Sequence, residues 1–544
     1  MTEITKTENT RPSAIPKYVW MLFAAGTVFI YFFGLTIPLM GPDEPRYAQV
    51  AREMFGRGDW ITPTLGGFNW FEKPALFYWL EIASYYIFGV NEFAARFGAA
   101  LCGLGTIASL WILGKFVMCS FGDLTDNRQP TTVNFANWLA LIAASTIGIL
   151  AFSRGASFDI IITFPITAAM VSFFVFDQTS TQNDLSVASH RLPVSASPRR
   201  SVPVSLFLFY FFIGVALLAK GLIGIIFPFG IVALFYILSR RLPSKAFLVS
   251  LIWGTLLAVA VALVWYVPMY LRHDWPFIDE FFIQHHFQRF TSNKYQHPQP
   301  FYFFLWILPL MIMPWLPLFL AAIWNFAKQM FNHIATGTKV VVSDESPHLP
   351  VSRSPLLLFS FAWLAVPLVF FSLSGSKLPG YILPAVPAAI IITAVFVDDR
   401  VTKSAHWLRT MLIVPAATFA VSLALLIFAL PKYAETDTVK YLIQTADERG
   451  FGASRVLTLH TVSYNAEFYA TGRLIRDADG KQHRFSSPAE VLEEIKAEGN
   501  IPVVVLIPLN HLPQLMAFEP LHSEILRDNG DLAIVAVSNQ NREP

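Results

Sequence analysis

The stretch GPDEPRYAQVAREMFGRGDWITPTLGGFNWFEKPALFYW, residues 41–79, decides how the rest of the chain is read. It sets Asp43, Glu44, Arg46, Glu72 and Lys73 between long apolar blocks. Ionisable groups beside a membrane are costly unless they face water, a partner or a substrate. The loop is therefore expected to roof a site. Asp43 and Glu44 precede Pro45, the pattern of a helix start. Tyr47, Val50, Ala51 and Met54 then recur at helical spacing, with Arg46, Gln49 and Glu53 on the opposite side. This predicts an amphipathic helix too short to cross a bilayer and suited to its interface. Trp60, Trp70, Phe71, Tyr78 and Trp79 supply interfacial aromatics. The segment 74–88 is apolar, short and interrupted by Glu81, and reads as a second interfacial or re-entrant helix.

Outward from this loop, the 544-residue chain is 54% hydrophobic and 14% charged, with a mean hydropathy of +0.51. Soluble domains carry roughly 25% charged residues. The deficit, with repeated apolar runs of about 20 residues, predicts a polytopic α-helical membrane protein. Runs at 18–40, 93–118, 135–152, 158–177, 205–219, 221–239, 246–270, 301–325, 355–373, 380–397 and 406–430 make eleven spans. A total of 11–13 is acceptable, because 74–88 could cross, and 205–219 with 221–239 is either a hairpin or one bent element. The polar tail 1–17 is expected in the cytoplasm, before a retained first span, since no small-residue cleavage pattern follows that span. Cys102 and Cys119 imply no disulfide framework. The net charge of +2 carries little information, and no nucleic-acid partner is expected.

Basic residues of short loops set orientation. Arg199–Arg200, Arg240–Arg241 with Lys245, Lys328 with Lys339, and Arg400 with Lys403 fall in alternate loops, which are expected to be cytoplasmic. Residues 41–92 and the loop 271–300 then face the other, periplasmic side. So does the segment 431–544, where SRVLTLH, IPVVVLIPL and DLAIVAV read as strands. SPAEVLEEIKAEG reads as a helix capped by Ser487, and Asn529–Gly530 marks a turn. The expectation is a membrane domain over 18–430 and a small soluble α/β domain after it.

This orientation puts the unusual charges on one face: the residues of the opening loop, Arg154 and Asp159 in SRGASFD, Lys220 in LLAKGLIG, His285, His286 and Arg289 in EFFIQHHFQRF, and Lys377 and Tyr381 in SGSKLPGYILP. Lysines and arginines beside a bilayer form a phosphate cradle. Carboxylates among them hold a sugar or amine, act as a base or ligate a metal. The combination suits group transfer from a lipid-linked phosphate better than ion coupling, whose charges lie nearer the midplane. Simpler readings stand beside this one. Lys115, Arg272 and Lys294 read as side chains that snorkel to headgroups. Arg96, at the start of a span, is balanced between snorkelling and a function. Asp159 is open to a helix-capping role.

At these residues the chain resembles a family. GPDEPRYAQVAREM, FEKPALFYWLE, NEFAARFGAAL, LAKGLIGIIFP and SGSKLPGYILP are similar to segments of the aminoarabinose lipid A transferases, GT-C glycosyltransferases related to protein O-mannosyltransferases. The resemblance runs to about residue 400 and implies a GT-C fold in the bacterial inner membrane with an active site facing the periplasm. It implies transfer of 4-amino-4-deoxy-L-arabinose from undecaprenyl phosphate to a lipid A phosphate, conferring polymyxin resistance. Asp43 then resembles the family's catalytic carboxylate, with Asp159 and Glu44 as further acidic positions. Arg46, Lys73, Lys220, Arg289 and Lys377 would bind phosphate, and Tyr381 would line the pocket. Glu72 and His286 would match a divalent metal site, for Zn or Mg, although His285–His286 stands where the family pattern has a Glu–His pair. Alternatives are a transferase of galacturonic acid, a hexosamine or mannose to lipopolysaccharide or protein and, in another class, a lipid-sugar flippase.

Overall fold

The computed structural model describes residues 15–122, 134–188, 198–288, 299–335 and 354–540. Among them, seven helices are long and apolar enough to cross a membrane: Glu92–Ser120, Phe158–Gln182, Pro203–Lys220, Lys245–His285, Pro355–Ser372, Pro379–Val401 and Ala405–Asp437. The pair Phe303–Ile312 and Leu316–Lys328, bent by 116°, would make an eighth. Three shorter apolar helices, Lys17–Phe32, Phe135–Ser145 and Ile223–Ser239, account for the remaining predicted runs.

The chain divides into two units. The first comprises Met1–Phe33, Ala99–Arg154 and Phe158–Ser422. It holds α1 (Lys17–Phe32), which is shorter than the predicted run. Arg154 donates to the carbonyls of Ile30 and of Phe33 (2.6 Å to the latter), and so satisfies backbone acceptors at the end of that helix. The predicted span 135–152 is broken at Thr146 into Phe135–Ser145 and Ile147–Phe152. The run 301–325 breaks around Pro314, which has no N–H to continue a helix. The two breaks satisfy each other: Ile147 N–H donates to Met313 O at 2.9 Å, and Trp315 Nε1 to Ser145 Oγ at 3.0 Å. Interrupted backbone in an apolar interior needs such internal partners. The runs 205–219 and 221–239 are two helices, Pro198–Lys220 and Ile223–Ser239, joined by a tight turn at Gly221, whose φ is +68°. Of the stretch 271–300, read as a loop, residues up to Gln288 are helical except for a break at Asp274, whose φ is +47°, after which the chain enters the π-helix Asp279–Gln288.

The second unit comprises Gly34–Gly98, Gly155–Ser157 and Leu423–Pro544. Here α2 (Asp43–Arg57) begins at the acidic pair as expected. The hairpin of β1 (Thr64–Leu65) and β2 (Phe68–Asn69) leads to α3 (Leu76–Phe88). The C-terminal sheet has the order β4–β3–β5–β7–β6, with β3 (Val456–Leu459), β4 (Arg484–Phe485), β5 (Val503–Pro508), β6 (Leu521–Asp528) and β7 (Leu532–Asn539). β3 runs parallel to β4 and β5, and the others pair antiparallel. Helices cover both faces. Leu442, Ala446 and Ala466 pack on one side with Val456 and Val504, and Val491 and Ile495 on the other with Leu457 and Val505. Ser487 caps Pro488–Ala497, and Asn529–Gly530 turns between β6 and β7, both as read from the sequence.

One expectation for α2 fails. Its polar side does not lie open at an interface. Gln49 is buried, and the helix packs between α3 and the short helix Tyr464–Tyr469 of the C-terminal domain. Arg52 donates to Phe468 O at 2.6 Å and stacks on that ring at 3.7 Å. Glu53 accepts from the backbone N–H groups of Gly66 (2.6 Å) and Gly67 (3.1 Å). The polar residues that looked like a solvated face are spent on tertiary partners.

In the first unit, a Cβ on Gly114 would lie 2.5 Å from the Ala136 backbone. Close approach of helices at small residues holds membrane bundles together. Gly114→Ala should cost about 1–3 kcal/mol, read as a lower thermal unfolding midpoint of the purified protein in detergent.

Candidate functional site

In the second unit the charges of the opening loop have distinct environments. Glu44 is folded into a closed network. Its carboxylate accepts from Arg96 Nε (3.1 Å) and Nη2 (2.6 Å), from Met40 N–H (3.0 Å) and from Ala156 N–H (2.6 Å). Arg96 also donates to the carbonyls of Leu35 (3.0 Å), Ile37 and Pro38 (3.0 Å). It is 2% exposed, so it does not snorkel. Burial disfavours the Glu44 charge, but the Arg96 guanidinium and the two backbone donors outweigh it and hold the carboxyl below its ordinary pKa.

Asp43, one residue earlier, lies in the open: its side chain is 52% exposed and pairs with Arg46. The Arg46 guanidinium lies over the rings of Tyr464, at 4.8 Å, and Trp70, at 5.7 Å, and its Nε donates to Pro42 O at 2.9 Å. Glu72 and Lys73 form a mostly buried pair at 2.7 Å. Burial works against the Arg46 charge, yet Glu72, Tyr47 and Asp43 raise its pKa above the usual value. The Asp43 end and the Glu72–Lys73 end of the loop thus act on the same guanidinium.

Glu81 is a further carboxyl in this unit. It is fully buried in α3, and neither oxygen has a hydrogen-bond partner among the described residues. Burial, then the neighbouring Glu44 charge, pushes its pKa well up. That shift favours its protonated form.

In the first unit Asp159 lies in the first turn of Phe158–Ala188 and pairs with Lys220, at the end of Pro198–Lys220. The Lys220 ammonium lies 4.6 Å from the centre of the Tyr381 ring. Gly380 makes the approach possible: a Cβ there would collide with the Asp159 carboxylate. Lys377 is buried and donates to the carbonyls of Gln299 (3.1 Å) and Ser374 (2.6 Å), which fixes the SGSKLPG turn. Lys220 falls in sequence between two lining residues of an apolar groove, Leu217 and Leu222. Val259, Leu263, Tyr266 and Phe282 complete its walls, and it encloses about 610 Å³ including its open mouth.

Residues 35–282 match the family described as dolichyl-phosphate-mannose-protein mannosyltransferase. The chain is 30% identical over 400 residues to the undecaprenyl phosphate-alpha-4-amino-4-deoxy-L-arabinose arabinosyl transferase of Aeromonas salmonicida, covering 70% of this chain and 62% of that protein. The enzyme of the same name from Shewanella sediminis is 29% identical over 409 residues, covering 74% and 64%. The chain thus spans somewhat under two thirds of the length of these curated relatives. The crystal structure of ArnT from Cupriavidus metallidurans bound to undecaprenyl phosphate superposes with a TM-score of 0.70 at 19% identity, over 96% of this chain and 98% of that one. The chain is a relative of the aminoarabinose transferases and has the GT-C fold.

On this GT-C scaffold the sequence-predicted residues fall into two groups. Asp43, Glu44, Arg46, Glu72 and Lys73 gather in the second unit, and Asp159, Lys220, Lys377 and Tyr381 in the first. Arg289 and the side chain of His286 lie outside the described residues. Among the described residues no three His, Cys, Asp or Glu side chains gather as metal ligands, and Glu72 is engaged by Lys73. The Zn or Mg expectation therefore finds no ligand set there. The sequence reading missed the Arg96 network, the buried and unpartnered Glu81 carboxyl and the contribution of Tyr464. Arg96 lies in the NEFAARFGAAL motif and Glu81 interrupts an apolar run, so both carried a signal. Tyr464 carried none.

Two measurements follow from the carboxyls. Glu44→Gln leaves Arg96 buried and unpaired, which should cost about 3–5 kcal/mol, visible as a lower thermal midpoint in detergent. For Glu81 the folded-state pKa is raised. Below about pH 4 both folded and unfolded states hold the proton. As pH rises the unfolded chain ionises first, so this residue's share of stability falls until the folded group also titrates. Glu81→Gln should flatten that loss; an unchanged slope of thermal midpoint against pH would show that Glu81 does not hold its proton.

Proposed function

We propose that this chain is a membrane glycosyltransferase of the bacterial inner membrane, working at its periplasmic face. Its reaction is transfer of 4-amino-4-deoxy-L-arabinose from undecaprenyl phosphate to a phosphate of lipid A, a modification that lowers the negative charge of the outer surface and confers resistance to polymyxin and cationic peptides. The observation that carries the reading is Lys220. A lysine held by Asp159 and Tyr381, between Leu217 and Leu222 that line an apolar groove, complements the chemistry of a lipid phosphate: an anionic head beside a long apolar chain. The similarity to transferases named for that donor supports the same substrate class.

In the reaction, the bond between sugar C1 and the donor phosphate oxygen breaks, and a bond from an acceptor phosphate oxygen to C1 forms. Undecaprenyl phosphate leaves with the bonding pair. Lys220 neutralises the charge that develops on that leaving phosphate. Its ion pair with Asp159 keeps the ammonium in place before the donor arrives. An acceptor phosphate is already an anion near neutral pH, so it needs positioning more than deprotonation. Asp43 then holds the sugar or its ammonium. Arg46 and Lys73 take phosphate oxygens, and Arg289 is assigned the same task. Lys377 and Tyr381 shape the pocket around Lys220. Glu44 supports Asp43 from the next position through its bonds to Arg96 and two backbone N–H groups rather than by touching substrate.

The deciding experiment is mass spectrometry of lipid A from cells with and without the gene. An aminoarabinose mass shift that depends on the gene supports the reading, and a shift of galacturonic acid or hexosamine mass redirects it to that sugar. Turnover of the purified protein in detergent separates a transferase from a flippase, because a flippase yields no product without a sealed membrane.

Asp43→Asn should remain folded and lose transfer, by at least about a hundredfold if it positions the reacting sugar; wild-type turnover would remove Asp43 from the site. Lys220→Ala should slow turnover at limiting donor without lowering protein yield, and an unchanged rate would mean that Lys220 binds no donor phosphate.

A further inference from the structure

The C-terminal domain has no task in the reaction as described so far, yet its helix Tyr464–Tyr469 reaches the opening loop and its flanks at three points within the second unit. Tyr464 covers the Arg46 guanidinium at 4.8 Å. Phe468, one turn later, covers Arg52 at 3.7 Å and accepts from it through its carbonyl at 2.6 Å. The Tyr469 hydroxyl accepts from Leu39 N–H at 2.8 Å and donates to Glu92 at 3.2 Å. Tyr464 and Phe468 lie four residues apart and so share one face of their helix. Arg46 and Arg52 both project from α2 onto that face.

The helix is itself anchored. Ser463 caps it by accepting from Ala466 N–H at 3.4 Å, and Asn465 donates to Asp437 O at 3.1 Å. Further bonds tie the same domain to the loop: Gly41 N–H to the Asp437 carboxylate at 2.8 Å, and Lys440 to Glu92 at 2.6 Å. Arg476 packs where a Cβ on Gly66 would lie.

Most of these contacts are fastenings. Tyr464 differs, because what it touches is the partner of Asp43. Arg46 has an aromatic face on Trp70, from its own loop, and another on Tyr464, from the far end of the sequence. An arginine over an aromatic ring gains attraction from the ring's negative face and loses rotational freedom. Tyr464 remains 44% exposed and Asp43 is half exposed. The stack therefore closes over an Arg46 side chain that is only 19% exposed, between two partners that stay open to solvent.

We propose that Tyr464 is a positioning residue of the Asp43–Arg46 pair: the C-terminal domain lends an aromatic face that fixes the Arg46 guanidinium, and through it the Asp43 carboxylate, in the orientation used for transfer. This rests on the proposed role of Asp43. It gives the soluble domain a part in the chemistry, and it makes the ring, not the hydroxyl, the group that matters.

The test uses the full-length protein in detergent, with undecaprenyl-phosphate-linked aminoarabinose as donor and lipid A as acceptor. Tyr464→Ala should lower kcat about tenfold, the scale of a lost cation–π contact and a loosened reactive geometry. KM for the donor should stay within about twofold, since Lys220 is untouched. Tyr464→Phe should restore kcat, because it keeps the ring. Tyr464→Leu keeps side-chain bulk without the ring; it should behave like the alanine variant, and it replaces that variant if alanine does not fold. A loss of kcat at an unchanged thermal midpoint, rescued by Phe but not Leu, supports the inference. If Asp43→Asn is inactive while Tyr464→Leu turns over like wild type, the positioning role is wrong and the proposed function stands. If Phe fails to rescue, the hydroxyl is the working group and the stacking argument fails. If Asp43→Asn turns over normally, the failure lies with the assignment of Asp43 itself.

Discussion

A single buried carboxylate organises the second unit. Glu44 takes two donors from Arg96 and two from backbone N–H groups, at Met40 and at Ala156. Arg96 in turn gathers three carbonyls from residues 35–38. Three separate pieces of chain, 35–44, the start of Glu92–Gly122 and 155–157, are thereby fixed to one another. Burying a charge pair costs desolvation that is recovered only when every remaining donor and acceptor is satisfied, and here each oxygen of Glu44 accepts twice. The consequence for Asp43 is mechanical. Its neighbour is held at both oxygens, so the backbone that carries Asp43 cannot drift, and its own carboxylate can remain exposed without becoming disordered.

The first unit uses the same logic with less charge. The helix Phe158–Ala188 carries Asp159 in its first turn and Asp177 further along, about 27 Å away along its axis, close to the thickness of a bilayer's hydrocarbon. Asp159 is paired with Lys220, while Asp177 accepts from the Tyr236 hydroxyl at 2.9 Å and pairs with Arg241. Asp159 and Lys220 stand beside Gly380, whose missing side chain leaves the space that the carboxylate occupies. In the proposed function, an ion pair of this kind stores a cation that an anionic substrate would claim by exchanging for one carboxylate oxygen rather than meeting a fully solvated lysine.

Both units show polar groups that a membrane sequence would not be expected to waste. Arg52 and Glu53 fasten α2 to its neighbours, and Gln49 is buried rather than facing water. Arg154 ends a helix, and Lys377 holds a turn. Side chains that act on backbone in this way define the positions from which Asp43, Asp159 and Lys220 project.

The sequence by itself determined the number and approximate limits of the apolar helices, the start of α2 at Asp43, three of the five C-terminal strands and the turn at Asn529–Gly530. These follow from local rules: hydrophobic run length, proline and glycine placement, and capping. It also singled out the charges that gather in each unit, because an ionisable residue in an apolar chain is conspicuous in one dimension. Tertiary structure alone decided how those charges are used. That Arg96 closes on Glu44 rather than snorkelling, that two helices break in step at Thr146 and Pro314, and that Tyr464 stacks on Arg46 are all pairings between residues tens to hundreds of positions apart. Periodicity carries no record of such pairs. They are set by which surfaces meet when the chain packs, and by the cost of leaving a buried polar group without a partner there.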